Sequence, residues 1–268
     1  LERILASGEV RLGFRTDAPP FAELKDGVAR GFSIELCGRL AGALRDRAGG
    51  NGFRARLVPV GTERRFEALV AGEIDILCGA TTATLSRRET VSFSLPIFHT
   101  GVGAILRRDA APALTAALVE QSPDALAPAA LAAALEGRRL GVRRATTAEP
   151  WLERFAEAAP DTVIRPFDRH DAAIEQLRAG EIDAYFADLA ILAGLVEADE
   201  PLLASRRPFT TEPYALALPR GDEDLRLLVD RALSRLYRSG EVLELIERHF
   251  GRPGRDVRAF YRMSALPE

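Results

Sequence analysis

The chain has 268 residues, 47% hydrophobic and 28% charged, enough for one large domain or two lobes with real cores. Its net charge of −3 leaves no electrostatic footprint for nucleic acid or for an anionic membrane surface. Lys25 is the only lysine, and His99, His170 and His249 stand far apart without ligand spacing, so neither Schiff-base chemistry nor a metal centre is expected. No apolar run approaches a bilayer span, and the opening Leu1-Glu2-Arg3 carries no signal-peptide pattern. That opening fits either a cytosolic fragment or a mature chain after processing.

In chain order, Val10-Arg-Leu-Gly-Phe14 reads as a strand that runs into Arg15-Thr-Asp-Ala-Pro-Pro-Phe21. The two prolines impose an extended turn and leave Phe21 exposed at its end, and Asp26-Gly27 is a hairpin-type turn. Ser33 is placed to cap a helix whose apolar face is Ile34, Cys37, Leu40, Ala41 and Leu44. After a Gly-rich break, Phe53, Ala55 and Leu57 alternate with Arg54 and Arg56 as a half-buried strand. Thr62 then caps a short helix that includes Arg65, Phe66 and Leu69 and stops at Gly72.

Residues 73–89 carry the densest chemistry. The run Ile74 to Cys78 between Gly72 and Gly79 reads as a buried parallel strand, and hydroxyls follow at Thr81, Thr82, Thr84 and Ser86. Ser86-Arg-Arg-Glu89 fits a capping box opening a helix, so backbone N–H groups, hydroxyls and Arg87 converge on a corner suited to a small carboxylate. An ordinary strand-to-helix turn with solvated arginines reads equally well from this stretch alone.

The theme then repeats. A strand at residues 101–106, helix and loop at 109–135 and a strand at 139–142 lead to Arg143-Arg-Ala-Thr-Thr147, with Thr147 as the cap of a helix through Trp151 and Phe155. A strand at 163–167, a helix at 171–179, a strand at 182–186 and an apolar helix to Val196 follow. Leu69-Val-Ala-Gly-Glu-Ile-Asp75 matches Leu177-Arg-Ala-Gly-Glu-Ile-Asp183, and Arg11-Leu-Gly-Phe14 echoes Arg139-Leu-Gly-Val142. Two α/β lobes of similar topology are expected, with facing strand ends forming a cleft. The tail returns as a strand at 214–218 and helices from Asp222 and Val242, all packing rather than chemistry. Cys37 and Cys78, on neighbouring elements, read either as small buried hydrophobes or as a disulfide in an oxidising compartment.

Taken together, Gly-Phe-Arg-x-Asp-x-Pro-Pro-Phe21, Gly31-Phe-Ser-Ile-Glu-Leu36, Gly72-Glu-Ile-Asp-Ile-Leu-Cys-Gly-Ala-Thr-Thr82, Ser86-Arg-Arg-Glu89, Phe93-Ser94 and Gly180-Glu-Ile-Asp-Ala-Tyr-Phe-Ala-Asp188 resemble a known family. It is the periplasmic amino-acid-binding proteins of ABC importers, the bacterial solute-binding family 3, over nearly the whole chain. The likeness is greatest to the glutamate/aspartate-binding branch, which has an arginine where Arg15 stands. The resemblance implies an α/β periplasmic-binding-protein type II (Venus-flytrap) fold, with residues 1–101 plus 216–268 as one lobe and 102–215 as the other. Two hinge strands would join them, and closure on a ligand would follow. It also implies a monomer in the periplasm, its leader removed, partnered with a membrane permease and needing no cofactor.

By motif position, the resemblance gives Arg87 the ligand α-carboxylate, aided by Thr82 and the backbone of Ala80, where some relatives have a hydroxyl. Asp188 would take the α-ammonium; Arg15, Thr62 and Arg65 would meet the side-chain end; Thr146, Thr147 and His170 would contribute from the second lobe. Plainer readings stand beside these: Asp188 as a helix cap, Arg65 in a solvated Glu-Arg-Arg run, His170 as helix-start chemistry, and Phe21 as core. If the carry-over holds, Arg15, Arg65 and Arg87 against Asp188 match the two carboxylates and one ammonium of glutamate or aspartate. A glutamine would leave arginines without an anion. Two other readings are a periplasmic dehydratase acting on prephenate-like or cyclohexadienyl acids, with a carboxylic acid or His170 as proton donor, and the ligand-sensing domain of a receptor.

Overall fold

The computed structural model describes residues 1–50, 52–121, 127–159, 161–196 and 201–267. Part of the expected helix-and-loop stretch, residues 122–126, lies outside them. The chain divides into two units: Leu1–His99 with Pro213–Glu268, and Thr100–Glu212.

The first unit begins with α1 (Glu2–Ser7), β1 (Glu9–Phe14), the short strands β2 (Asp17–Ala18), β3 (Ala22–Lys25) and β4 (Val28–Arg30), and α2 (Phe32–Arg47). It continues through β5 (Arg54–Pro59), α3 (Arg65–Val70), β6 (Ile76–Leu77), α4 (Leu85–Arg88) and β7 (Val91–Thr100). The second unit holds β8 (Val102–Arg107), α5 (Pro112–Thr115) continued by a π-turn at Ala116–Glu120, α6 (Pro128–Leu135), β9 (Arg139–Arg143) and α7 (Ala148–Ala156). It is completed by β10 (Val163–Phe167), α8 (His170–Arg178), β11 (Ala184–Asp188), α9 (Leu189–Leu195) and β12 (Leu202–Ala204). The chain returns through β13 (Glu212–Pro219) and ends in α10 (Glu223–Ser239), α11 (Glu241–Phe250) and α12 (Arg255–Ser264).

Each unit is built on a five-stranded sheet, ordered β5-β1-β6-β13-β7 in the first and β10-β9-β11-β8-β12 in the second. In both, a strand carrying the Arg-Leu-Gly repeat lies parallel to its neighbours on either side. The two sequence echoes are one structural device used twice. Arg11 donates its backbone N–H (2.7 Å) and its guanidinium (3.1 and 2.9 Å) to Asp75, whose own N–H returns to the Arg11 carbonyl at 2.8 Å. Arg139 donates its backbone N–H to Asp183 at 2.8 Å, with its guanidinium 3.5 Å away and the return bond at 2.7 Å. The Asp75 carboxylate, bonded to its guanidinium, holds Arg11 above even the ordinary arginine range.

The glycines of the echo have the same logic. A Cβ on Gly13 would lie 2.3 Å from the Ile74 side chain, and one on Gly141 would lie 2.6 Å from that of Ile182. The isoleucine of each Gly-Glu-Ile-Asp turn thus seats directly on the bare backbone of its partner strand. Strand β6 is shorter than the expected 74–78 run, because the chain leaves the ladder for this turn before Ile76.

Several expectations are corrected. Ser33 does not cap α2: Gly31 occupies that position at φ 126°, and the first helical N–H groups, of Phe32 and Ser33, donate to the Pro20 and Phe21 carbonyls at 2.9 Å. Backbone from the Pro-Pro turn does the cap's work, so Ser33 sits buried inside the first turn, and Leu36 replaces Ile34 among the buried residues of the apolar face. Thr62 does not cap α3, whose N-cap position is Arg64. The strand at residues 53–57 is an exposed edge rather than half-buried, since β5 pairs only with β1. Phe21 is fully buried, its ring 4.9 Å from Phe98, 5.1 Å from Tyr214 and 5.2 Å from Phe250, so the core reading holds and the exposed one falls.

Cys37 on α2 and Cys78, just past β6, form a disulfide. The C-terminal helices are moored to β7 by two buried phenols: Tyr237 donates to the Pro96 carbonyl (3.0 Å) and Tyr261 to that of Ile97 (2.8 Å). Burial raises both above the usual phenol range and keeps them donors. Asp230 accepts the Leu95 N–H at 2.7 Å, yet burial outweighs that bond and holds its carboxyl above the ordinary range.

Three outcomes follow from this packing. Replacing both cysteines by Ala releases a loop of 41 residues, and chemical denaturation should show a loss of up to about 4 kcal/mol from chain entropy. Asp75→Ala, at a buried clamp, should cost about 2–4 kcal/mol and Asp183→Ala, at a half-buried one, about 1–2 kcal/mol; equal or negligible losses would deny the clamp its role. Because folded Asp230 holds its proton more tightly than the unfolded chain does, its ionisation lowers stability as pH rises through and beyond the carboxylate range. Asp230→Asn keeps an acceptor for Leu95, so it should melt at or above the parent at pH 7 and lose that advantage near pH 3.

Candidate functional site

In the first unit, the chain leaves β6 and runs through Gly79, Ala80, Thr81 and Thr82 along the start of β13. The Thr81 carbonyl accepts the Ala215 N–H at 3.0 Å, Thr82 bridges Tyr214, and the Ala83 N–H reaches the Pro213 carbonyl at 2.9 Å. Ala80, Thr81 and Thr82 are buried by this zipper, which fixes the loop without recourse to α4. The cap of α4 is Thr84, whose hydroxyl accepts the Arg87 N–H at 3.2 Å; Ser86 is already helical, and Glu89 lies past the helix end. The Ser86–Glu89 capping box is therefore corrected by two residues. A helix of four residues has little macrodipole, so anion binding at this corner falls to side chains.

Arg87 folds back over its own loop and donates to the Thr82 carbonyl at 2.8 Å, and its guanidinium lies 5.2 Å from the centre of the Phe66 ring. Arg65 lies against the same ring at 4.6 Å and donates to the Thr62 carbonyl. Thr62, Arg65, Thr82 and Arg87 thus gather around Phe66, with Ala80 on the shared loop. Arg65 is only 4% exposed, which removes its reading as a solvated surface charge. Two guanidiniums lie against one aromatic ring, and the contact stabilises the buried Arg65 cation, which has little water around it, more than the half-buried Arg87. Arg15, also buried, is clamped at 3.2 and 3.0 Å to Asp17, two residues along.

In the second unit, Arg143 ends β9 and donates to the Phe167 carbonyl at 2.9 Å. The turn that follows puts Ala145 at φ 56°, and its N–H is held by Glu149 at 2.9 Å. Thr146 donates its hydroxyl to the Arg143 carbonyl at 2.7 Å. Thr147 does occupy the N-cap position of α7, but its hydroxyl makes no capping bond and donates instead to Glu212 at 2.6 Å. Asp188 caps α9 through Oδ1, accepting the Ala190 N–H at 3.0 Å, and the same oxygen accepts the Thr100 hydroxyl at 2.9 Å. His170 opens α8, one residue before the expected start; its buried ring bonds the Tyr185 hydroxyl through Nδ1 at 2.9 Å.

Phe66, Asp17, Thr100, Arg143 and Glu212 escaped the sequence reading. Asp17, two residues after Arg15, and Phe66, next to Arg65, were visible in the sequence. Glu212 was not: its partners stand 65 residues away in sequence at Thr147 and close by at Thr210. Among the described residues no group of three His, Cys, Asp or Glu is placed to hold a metal ion, and no helix is long and apolar enough to cross a membrane.

Residues 10–252 match the model of the bacterial extracellular solute-binding proteins, family 3. The chain belongs to that family. This family 3 protein is 25% identical over 253 residues to the L-cystine-binding protein TcyJ of Escherichia coli (strain K12), covering 94% of the chain and 86% of the relative. It is 26% identical over 259 residues to the L-glutamate/L-aspartate-binding protein of Pseudomonas aeruginosa, covering 94% and 80%. Among solved structures it resembles the ancestral amino acid-binding protein AncCDT-1, described as a precursor of cyclohexadienyl dehydratase, at a TM-score of 0.77, 25% identity and 93% and 98% coverage. The two α/β units of this family 3 protein have the fold of type II periplasmic binding proteins.

Proposed function

We propose that this protein captures an acidic amino acid, glutamate or aspartate, outside the cytoplasm and hands it to the permease of an ABC importer. The observation that carries the reading is the pair of guanidiniums on Phe66. Arg87, stretched across the Thr82 carbonyl, binds the α-carboxylate with help from the Ala80 backbone and the Thr82 hydroxyl. Arg65, backed by Thr62, binds the side-chain carboxylate, and Arg15 supports it. Asp17 pairs with Arg15, Arg65 and Arg87 meet the two carboxylates, and Asp188 of the second unit takes the ammonium; His170, Thr146 and Thr147 contribute there. Glutamine, lacking a second carboxylate, leaves Arg65 without a charged partner from the ligand, a loss of several kcal/mol relative to glutamate. Membership in an extracellular solute-binding family and the glutamate/aspartate-binding relative support the reading.

The likeness to a dehydratase precursor favours one second reading, an enzyme eliminating water from a cyclic dicarboxylic acid, with His170 as proton donor. The hydrogen bond of His170 to Tyr185 within the core of the unit argues for a structural ring instead.

Thermal melts with L-glutamate or L-aspartate at a hundredfold over Kd should show about 2.7 kcal/mol of added stability, with no turnover of prephenate in a parallel incubation. By titration calorimetry, Arg87→Ala should abolish binding of every amino acid tested. Arg65→Gln should weaken glutamate by about 100-fold, near 2.7 kcal/mol, while hardly moving glutamine. Undiminished glutamate affinity in Arg65→Gln would overturn the ligand assignment, and product from prephenate would move the protein to the enzyme class.

A further inference from the structure

We propose that the Cys37–Cys78 disulfide is a positioning element for the loop at residues 79–82, so that the chain gains its affinity for an amino acid only once the bond has formed. The inference rests on the amino-acid-binding reading above, which gives that loop to the ligand carboxylate, and adds a redox condition to it. Cys78 is the residue at which β6 gives way to the loop, and Cys37 lies within the 16 residues of α2. The bond is thus a covalent tie between a long helix and the entry of the segment that carries Ala80 and Thr82.

The loop's other anchors are unevenly placed. Its exit is zippered to β13 from Thr81 onward. Its entry has little ladder behind it. Strand β6 is two residues long, in register with Leu12 and Gly13 of β1 and, at Leu77, with Ala217 of β13; one further bond runs from the Cys78 N–H to the Gly13 carbonyl at 2.7 Å. Between entry and exit, a Cβ on Gly79 would meet no atom within 4 Å among the described residues, so nothing packed on that side holds the chain there.

Helix α2 is the better-fixed partner. Carbonyls of Pro20 and Phe21 hold its first N–H groups, Leu36, Leu40 and Leu44 are fully buried along it, and Glu35 bonds Arg248 and His249 of α11. Two sulfurs therefore impose the place of a packed helix on a short strand end. A loop left untied must be ordered by the ligand, and that ordering is subtracted from the affinity. Both cysteines are fully buried, so a thiol reductant has no path to the bond in the folded chain, and the setting is made once, during folding. Closing the bond takes two protons and two electrons from the Cys37 and Cys78 thiols and passes them to a disulfide-bearing oxidant, which leaves as its dithiol. A chain folded in a reducing compartment then binds its ligand weakly, and capture begins in an oxidising one.

Titration calorimetry with L-glutamate tests this on the oxidised parent, on Cys37→Ala/Cys78→Ala, and on the parent refolded in dithiothreitol with both thiols counted. At a temperature where circular dichroism shows each form folded, loss of the bond should weaken glutamate at least tenfold in both reduced forms. Amide hydrogen exchange at Cys78 and Ala83, on either side of the loop, should quicken in both. Ser234→Ala, which frees the tail at Leu266, is the control for stability alone and should leave the glutamate affinity unchanged. Undiminished affinity in either reduced form, or an equal loss in Ser234→Ala, would overturn the proposal. Failure of both reduced forms to fold would overturn it too, because the bond would then serve the fold and not the loop. An oxidised parent that binds no amino acid would instead overturn the function from which the proposal starts.

Discussion

The architecture depends on one contact made twice: an aspartate in a Gly-Glu-Ile-Asp turn gripping the backbone and side chain of an arginine two residues before a strand glycine. The grip ties the entry of one parallel strand to the start of its neighbour, while isoleucine on glycine closes the gap beneath. Parallel pairing alone sets strand register weakly, through slanted bonds to a two- or three-residue overlap in each unit. A charge-assisted bond at one fixed residue sets it far more sharply. Once Asp75 and Asp183 are placed, the strand ends beyond them are placed too, and those ends carry Arg15, Ala80, Thr82, Arg143 and Asp188.

Each unit then fixes its loops by a different device. In the first, the loop after β6 is zippered to β13 and stapled through Cys78 to α2, so Arg87 can be thrown back across it without loosening it. Phe66 collects that guanidinium and the one from Arg65. In the second unit, the hydroxyls of Thr100, Thr146 and Thr147 give their protons to two carboxylates and a carbonyl.

Much of this could be read before any coordinates. The repeated Arg-Leu-Gly and Gly-Glu-Ile-Asp strings announced two α/β units because repetition of a pattern needs no knowledge of what the pattern does. Helix starts were less legible: Ser33, Thr62 and Ser86 all had the right side chain at a plausible boundary, yet backbone carbonyls of the Pro-Pro turn, Arg64 and Thr84 held those positions. A cap is decided by which acceptor arrives first, and tertiary neighbours do not show in a local string. Phe21 was misplaced as exposed for the same reason, since the rings that bury it come from residues 98, 214 and 250.

The hydroxyls mark the sharper limit. Thr147 was read as the cap of α7 and occupies that position, but residue type states only that a threonine can both give and take a hydrogen bond. Whether it gives or takes depends on what has claimed its one proton, and for Thr147 that claimant is a glutamate 65 residues away. That bond and the Arg–Asp clamps that shape the unit rest on different residues. Relatives named for cystine in one case and for glutamate and aspartate in the other each match 94% of this chain, so ligand class among them is carried by side chains that the shared backbone pattern leaves open.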